Sequence, residues 1–260
     1  MILKKYKDDA VKYFSLILYS LVIYTNYLAN AMPIGGITTG GVSDLLNNLF
    51  TPTGFTFSIW GVIYLSLFIF LISLFWMSEN QKLFFNKVLR LFNINCLLNI
   101  SWIFAWHYQK FLFSLLVMLG LLYTLILISS LIKSYDNKLS YIYSISSFSF
   151  NIYFGWITVA TVANFTGLLV SYEWGGFSIS EEVWTSIIIV VATVIATFTY
   201  ITNKAIWYLL PIIWAFYGIY FKHTVTLEGS YPFIINTLIF GMGILIILFL
   251  IRIYIYITKN

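Results

Sequence analysis

The chain has 260 residues, of which 61% are hydrophobic and 9% charged, with a mean hydropathy of +0.91 and a formal net charge of +5. No soluble core of this size needs so much apolar surface, which excludes an ordinary water-soluble domain. The positive charge does not point to nucleic acid, because the basic residues are scattered through short connections and form no patch with aromatic partners.

Apolar runs of about 20 residues, the length a helix needs to cross roughly 30 Å of hydrocarbon, recur along the chain. Eight are predicted, at 12–32, 53–77, 89–107, 111–133, 140–170, 184–202, 205–221 and 232–256. Unbroken runs such as 111–132 identify them as helices, since a barrel strand would alternate apolar with polar residues. The fold class is therefore all-α, a polytopic membrane helix bundle.

The first run follows a basic start and leads to Leu28-Ala29-Asn30-Ala31, the kind of small-residue site at which a secretory signal is cut. A retained membrane helix accounts better for its length. It also accounts for Asn26 and Asn30, one turn apart on a face that would pack against other helices. The connection from Pro33 to Phe50 holds Gly35, Gly36, Gly40 and Gly41, then Ser43-Asp44-Leu45-Leu46, which predicts a short surface helix capped by Ser43. It reads as a lid or as an ordinary connector. It lacks the Lys-Ser/Thr ending of a phosphate-binding loop.

The second run opens on Pro52-Thr-Gly54-Phe55-Thr-Phe57-Ser-Ile-Trp60 and continues to Tyr64. In the third, Asn95, Asn99, Trp102 and Trp106 fall on one helix face, at i, i+4, i+7 and i+11. In the fifth, Trp156, Ala160 and Asn164 do the same at steps of four. Amides in lipid are costly unless partnered, so these faces should look inward, either as glue between helices or as the wall of a pocket. The cut between the sixth and seventh runs rests on Thr202, Asn203 and Lys204. Cys96, alone within a span, is expected to be a small packing residue.

Cytoplasmic connections retain Lys and Arg. With eight spans and the N-terminus inside, the inner segments hold Lys4, Lys5, Lys7, Lys12, Lys82, Lys87, Arg90, Lys133, Lys138, Lys204, Arg252 and Lys259, leaving only Lys110 and Lys222 of the 14 basic residues outside. The charge bias thus predicts a multi-pass protein of the cell membrane with both termini cytoplasmic. It places Asn26, Asn30, Trp60, Trp102, Trp156 and Asn164 in the outer half of the bilayer.

Three blocks carry a resemblance: Pro52 to Tyr64, Leu98-Asn99-Ile-Ser-Trp102, and Tyr153-Phe-Gly-Trp156-Ile-Thr-Val-Ala160-Thr161-Val-Ala-Asn164. In order and spacing they resemble the conserved blocks of the TspO/MBR family, the tryptophan-rich sensory or translocator proteins. The resemblance covers about residues 10–170. It implies a five-helix bundle over 1–183, with the loop 33–50 above an aromatic pocket, and leaves 184–260 as three additional transmembrane helices packed on it. It further implies a tetrapyrrole such as protoporphyrin, or a sterol-like molecule, as ligand, and often a homodimer. By position, Phe55, Trp60, Tyr64, Asn99, Trp102, Trp156, Ala160 and Asn164 are the ligand-binding candidates. The chain departs from the family pattern at Thr53, Phe55 and Ile152, where a second proline, a tryptophan and a proline are usual.

Membrane lipids and a hydrophobic small molecule are thus the expected partners, with no nucleic acid. No cofactor is required by this reading; a porphyrin would be a ligand. No confident span carries an acid or base at its centre, so no catalytic set is visible and the expectation leans away from an enzyme. His107 and His223 end helices on the same side, but no cysteine or third ligand accompanies them, so no metal site is expected. The alternative function is a permease for a small lipophilic molecule, with Pro211, Gly241 and Gly243 as flexible points. A ligand-free scaffold would instead bury the tryptophans in closed helix contacts.

Overall fold

A computed structural model describes residues 2–259, with side-chain surroundings for 10–255 and for Thr258; the side chains of Lys4, Lys5, Lys7 and Lys259, used in the charge argument, lie outside the described set. Among the described residues all regular structure is helical: α1 Ile2–Ala31, α2 Thr39–Leu45, α3 Ile59–Ser73, α4 Glu79–His107, α5 Phe111–Ser134, α6 Tyr141–Ser171, α7 Glu181–Asn203, α8 Leu209–Phe221 and α9 Pro232–Lys259. Seven segments of the described residues, carried by α1, α3–α7 and α9, are long and apolar enough to cross a membrane. The chain is an all-α polytopic bundle.

The eighth predicted span is α8, whose 13 residues reach only about 20 Å. A 3-10 turn at Ile206–Tyr208 and a π turn at Lys222–Thr226 lengthen it at its two ends. The cut before it falls where the sequence places it. Helix α7 stops at Asn203, and Lys204 takes the left-handed conformation that usually terminates a helix at glycine.

Helix α4 begins ten residues before the predicted apolar run, because a capping box starts it in the polar segment. The Ser78 N–H donates to Gln81 Oε1 at 2.9 Å, and Lys82 pairs with Glu79 at 2.8 Å. Hydropathy locates the part of a helix in lipid, not the whole helix. The short helix of the first connection also differs from expectation. Its cap is Thr38, in an extended conformation, whose hydroxyl accepts from the Gly41 N–H at 3.1 Å. Ser43 lies inside the helix with its side chain buried, so it caps nothing.

Helix α6 is the centre of the molecule. It packs against α3 and α5 in one direction and against α8 in the other, and every residue from Ser149 to Val159 is buried. A helix apolar around its whole circumference is one with neighbours all round it. Helix α1 lies on α4, α4 on α5, and α9 on both α7 and α8.

The helix ends sort into two sets, as alternating spans require. At one end Lys133 Nζ donates to Thr202 O at 2.7 Å and the Tyr141 hydroxyl to Trp76 O at 3.1 Å. At the other, called the loop end below, Asn48 Nδ2 donates to Thr166 Oγ1 at 2.6 Å and Lys222 Nζ to Asn48 O at 2.9 Å.

Small residues set the closest approaches. A Cβ at Gly155 would overlap the Tyr208 carbonyl oxygen and come within 2.9 Å of Pro211 Cγ, so glycine is what lets α8 reach α6. Gly218 plays the same part where α8 meets Thr56, and Gly241 where α9 meets α7, with a Cβ only 2.8 Å from Thr193 Oγ1. Gly241, a flexible point in the permease reading, is thus accounted for by packing.

Candidate functional site

Five aromatic rings meet beneath the 33–50 connection. Trp60 stacks on Tyr64 at 5.1 Å between ring centroids and meets Tyr153 and Trp156 edge-on at 5.7 and 6.2 Å, while Phe57 meets Trp156 edge-on at 5.9 Å. Each such pair contributes roughly 0.5–1.5 kcal/mol beyond its buried area. Across from them on α4, Trp102 and Trp106 stack at 5.9 Å. Between the two groups lies an inner void of about 40 Å³, lined by Phe57, Trp60, Trp102, Trp106, Trp156, Ala160 and Asn164 among others. On the other side of Phe57 and Trp60, a cleft of about 310 Å³ opens between α1 and α3, bordered by Asn26, Asn30, Thr39 and Tyr64. Phe57 and Trp60 are the wall common to both.

The amides on the predicted faces of α4 and α6 turn inward, as does Asn26, whereas Asn30 is exposed and donates only to Asn26 O of its own helix. Asn26 Nδ2 donates to Asn99 Oδ1 at 3.1 Å, and Asn99 Nδ2 donates to the Tyr153 hydroxyl at 3.0 Å, which links α1, α4 and α6. Asn164 Oδ1 accepts from Trp102 Nε1 at 3.2 Å and from the Ser114 hydroxyl at 2.7 Å, and Asn95 Nδ2 donates to Thr124 Oγ1 at 2.8 Å. Each interhelical bond of this kind is worth about 0.6–2 kcal/mol in a membrane.

Among the described residues, two buried donors have no hydrogen-bond partner: the indole N–H of Trp156 and the hydroxyl of Tyr64. An unsatisfied buried polar atom is costly, and both belong to the aromatic group. Tyr64 borders the cleft and Trp156 the inner void.

The 33–50 connection is fastened over this group from α4. Trp106 Nε1 donates to Thr39 O at 3.1 Å. His107 Nδ1 donates to Ile34 O at 3.0 Å, since a carbonyl only accepts, and its Nε2 lies 3.1 Å from the Thr39 hydroxyl. At the end of α8, His223 Nε2 likewise donates to Leu49 O at 2.9 Å, and Lys222 Nζ also reaches Thr51 O at 3.2 Å. Burial pushes the pKa of both Lys222 and His223 down from their ordinary values, with Asp44 opposing the shift at Lys222 and the Leu49 carbonyl opposing it at His223. Both histidines sit at helix ends, but both are buried latches on the connection.

Of the eight residues expected to bind ligand, the inner void gathers Trp60, Trp102, Trp156, Ala160 and Asn164. Tyr64 borders the cleft, and also a deeper void of about 10 Å³ that it shares with Asn99, Tyr153 and Cys96. Phe55 lies elsewhere. Its ring meets Trp214, Tyr217 and Phe221 at 5.6, 6.2 and 5.3 Å, so it docks α8 onto the start of α3. Phe55 lies within the 3-10 turn Gly54–Ser58, which turns Phe55 and Phe57 to different sides. Sequence reasoning did not select Phe57, Trp106, Thr39 or Ser43 as site residues, although all four border the two cavities. The first two stood on the predicted aromatic faces; nothing local in the sequence marks Thr39 or Ser43.

Fold and site together define a polytopic helical membrane protein with an aromatic cavity at one end of its bundle. A family model described as TSPO-like protein matches residues 12–251, and the chain belongs to that family. The match runs through α7, α8 and most of α9 as well as the three blocks in α3, α4 and α6. No curated protein and no solved structure matches the chain. Membership and the helix bundle make it a membrane sensory or binding protein.

Proposed function

We propose that the protein binds a flat hydrophobic ligand, a tetrapyrrole or a sterol-like molecule, in the cleft between α1 and α3, and that it works as a sensor of that ligand. The observation that carries this reading is the unpartnered N–H of Trp156 inside a group of aromatic rings whose neighbouring amides are already paired. Aromatic faces take a planar ring at low entropic cost, and one placed donor orients its polar edge. The cleft, at about 310 Å³, lies at the lower end of the range for small-molecule sites, whereas the inner void at about 40 Å³ lies far below it. The ligand body therefore occupies the cleft, and rotation of Phe57 and Trp60 admits its edge to the inner void. The loop end faces away from the cytoplasm in this proposal, on the strength of the Lys and Arg distribution, with the protein in the cell membrane and both termini inside.

Titration of the purified protein with protoporphyrin IX, followed by tryptophan quenching and the porphyrin absorption band, tests the reading. Saturable binding by the wild type is expected, with at least a tenfold loss in a Trp60→Leu, Trp156→Leu double variant of unchanged helical content. Absence of saturable binding by the wild type would reject the tetrapyrrole. Directional flux of the ligand into proteoliposomes would mark a permease instead of a sensor.

A further inference from the structure

A second cavity at the loop end belongs to none of the residues above that surround Trp60. It measures about 340 Å³ and lies between the C-terminal part of α6, the connection 172–180, the first turns of α7 and Asn47–Leu49 of the first connection. Leu169 and Ile188 contribute apolar wall. Trp174 and Trp184 contribute aromatic surface, and Glu173 and Glu181 contribute carboxylates. No basic side chain is among the lining residues.

The rings are fixed in place. Trp184 Nε1 donates to Gly176 O at 2.6 Å, which ties the connection to α7, and Trp174 packs on Trp184 at 5.1 Å and edge-on to Phe177 at 5.5 Å. The same connection holds Glu173, Phe177 and Ser178 in left-handed backbone conformations that side chains other than glycine seldom adopt. The glutamates beside this cavity are used differently. Glu182 Oε1 accepts from the Phe233 N–H at 2.9 Å and so caps the start of α9. Glu173 and Glu181 have no hydrogen-bond or ion-pair partner among the described residues.

We propose that this cavity is a binding site for an organic ammonium cation carrying an apolar body. An ammonium group gains from the faces of indole rings and from uncompensated carboxylates at once, and its hydrocarbon part finds the Leu169 and Ile188 walls. An anion would face two carboxylates, with the nearest cation, Lys222, behind the wall and bonded to Asn48 O, and a neutral apolar molecule would leave both carboxylates unanswered. The ammonium group arrives either on a free amphiphilic amine or on a choline-type lipid headgroup, since both join such a cation to a hydrocarbon body. The proposal is independent of the tetrapyrrole reading, with which it shares no side chain.

Calorimetric titration of the whole protein in an uncharged maltoside detergent tests it, with benzyltrimethylammonium as probe and phenylmethanesulfonate as the charge-reversed control. The expected result is saturable binding of the cation alone, weakened about tenfold in Glu173→Gln, Glu181→Gln and in Trp174→Leu. No saturable binding of the cation, equal binding of the sulfonate, or less than a threefold loss in the double glutamine variant overturns the proposal. The double variant decides the matter if Trp174→Leu unfolds, because it replaces two exposed carboxylates with amides of the same size. Competition separates the two sources. Displacement of the probe by lysophosphatidylcholine but not by lysophosphatidylglycerol of equal chain length assigns the site to a lipid headgroup; displacement by neither assigns it to a free amine.

Discussion

Helices α1, α4, α5 and α6 are bonded to one another through side-chain amides, with α3 held to them by the Tyr19 hydroxyl on Tyr64 O and the Ser149 hydroxyl on Ser66 O, whereas α8 and α9 meet their neighbours by close approach at small residues. Asn26, Asn95, Asn99, Asn151 and Asn164 each bond to a side chain on another helix. The junction of α8 with α6 and α3 rests instead on Gly155 and Gly218, supported by Trp214 Nε1 donating to Thr56 O at 2.9 Å and Tyr208 Oη donating to Thr158 Oγ1 at 3.1 Å. The difference teaches what each region is shaped to do. Amide bonds fix helices at a set distance and leave space between aromatic rings, and both pocket cavities lie in that region. Glycine contacts close space, and they set α8 as a firm back wall behind Trp156 and the entrance of α3.

The contrast breaks most sharply at Gly155. Gly155→Val places branched carbons where the Tyr208 carbonyl lies, so α8 must leave α6; a loss of about 3 kcal/mol or more is expected, read as a fall in the thermal unfolding midpoint in detergent. An unchanged midpoint would mean that α8 is loosely attached. Asn164→Ala tests the other region. It strands the Trp102 N–H and the Ser114 hydroxyl and should cost roughly 1–3 kcal/mol, with α8 undisturbed. A smaller loss than that of Asn99→Ala would instead place the weight of the amide network on α1 and α4.

The smallest effect concerns the latch that joins the two regions. His223 donates from Nε2 to Leu49 O, and its buried Nδ1 has no partner, so a second proton is unwelcome in the folded protein. A folded pKa below the unfolded one means that the unfolded chain binds more protons in the window between them. Stability is therefore full above about pH 6.5 and falls as the pH drops through that window. The unfolding midpoint should decline by a few degrees between pH 7.5 and 5.5, and His223→Gln, which keeps a donor for Leu49 O without titrating, should flatten the decline. An equal slope in the variant would remove His223 as the source.

How much of this was legible in the chain depends on where each residue's meaning lies. Membrane spans are legible because lipid imposes a length and a polarity that each segment satisfies by itself. The inward faces of α4 and α6 are legible for a related reason, because an amide in an apolar run must find a partner, and spacing gives its direction. The start of α4 was hidden because a capping box, not hydropathy, sets it. The packing of Phe55 against α8 was hidden because the two rings of Gly54-Phe55-Thr-Phe57 differ only in the turn that carries them.

By itself, the sequence determined a multi-pass helical membrane protein, its family blocks, and the set of aromatic and amide residues facing inward. Only the tertiary structure decided which polar atoms stay free, because pairing Asn99 with Asn26 and Asn164 with Trp102 and Ser114 joins residues 50 to 73 positions apart. It alone also decided that α8 backs the pocket, because glycine gives no signal of its own: its role at Gly155 exists only once another helix has come close enough to need it.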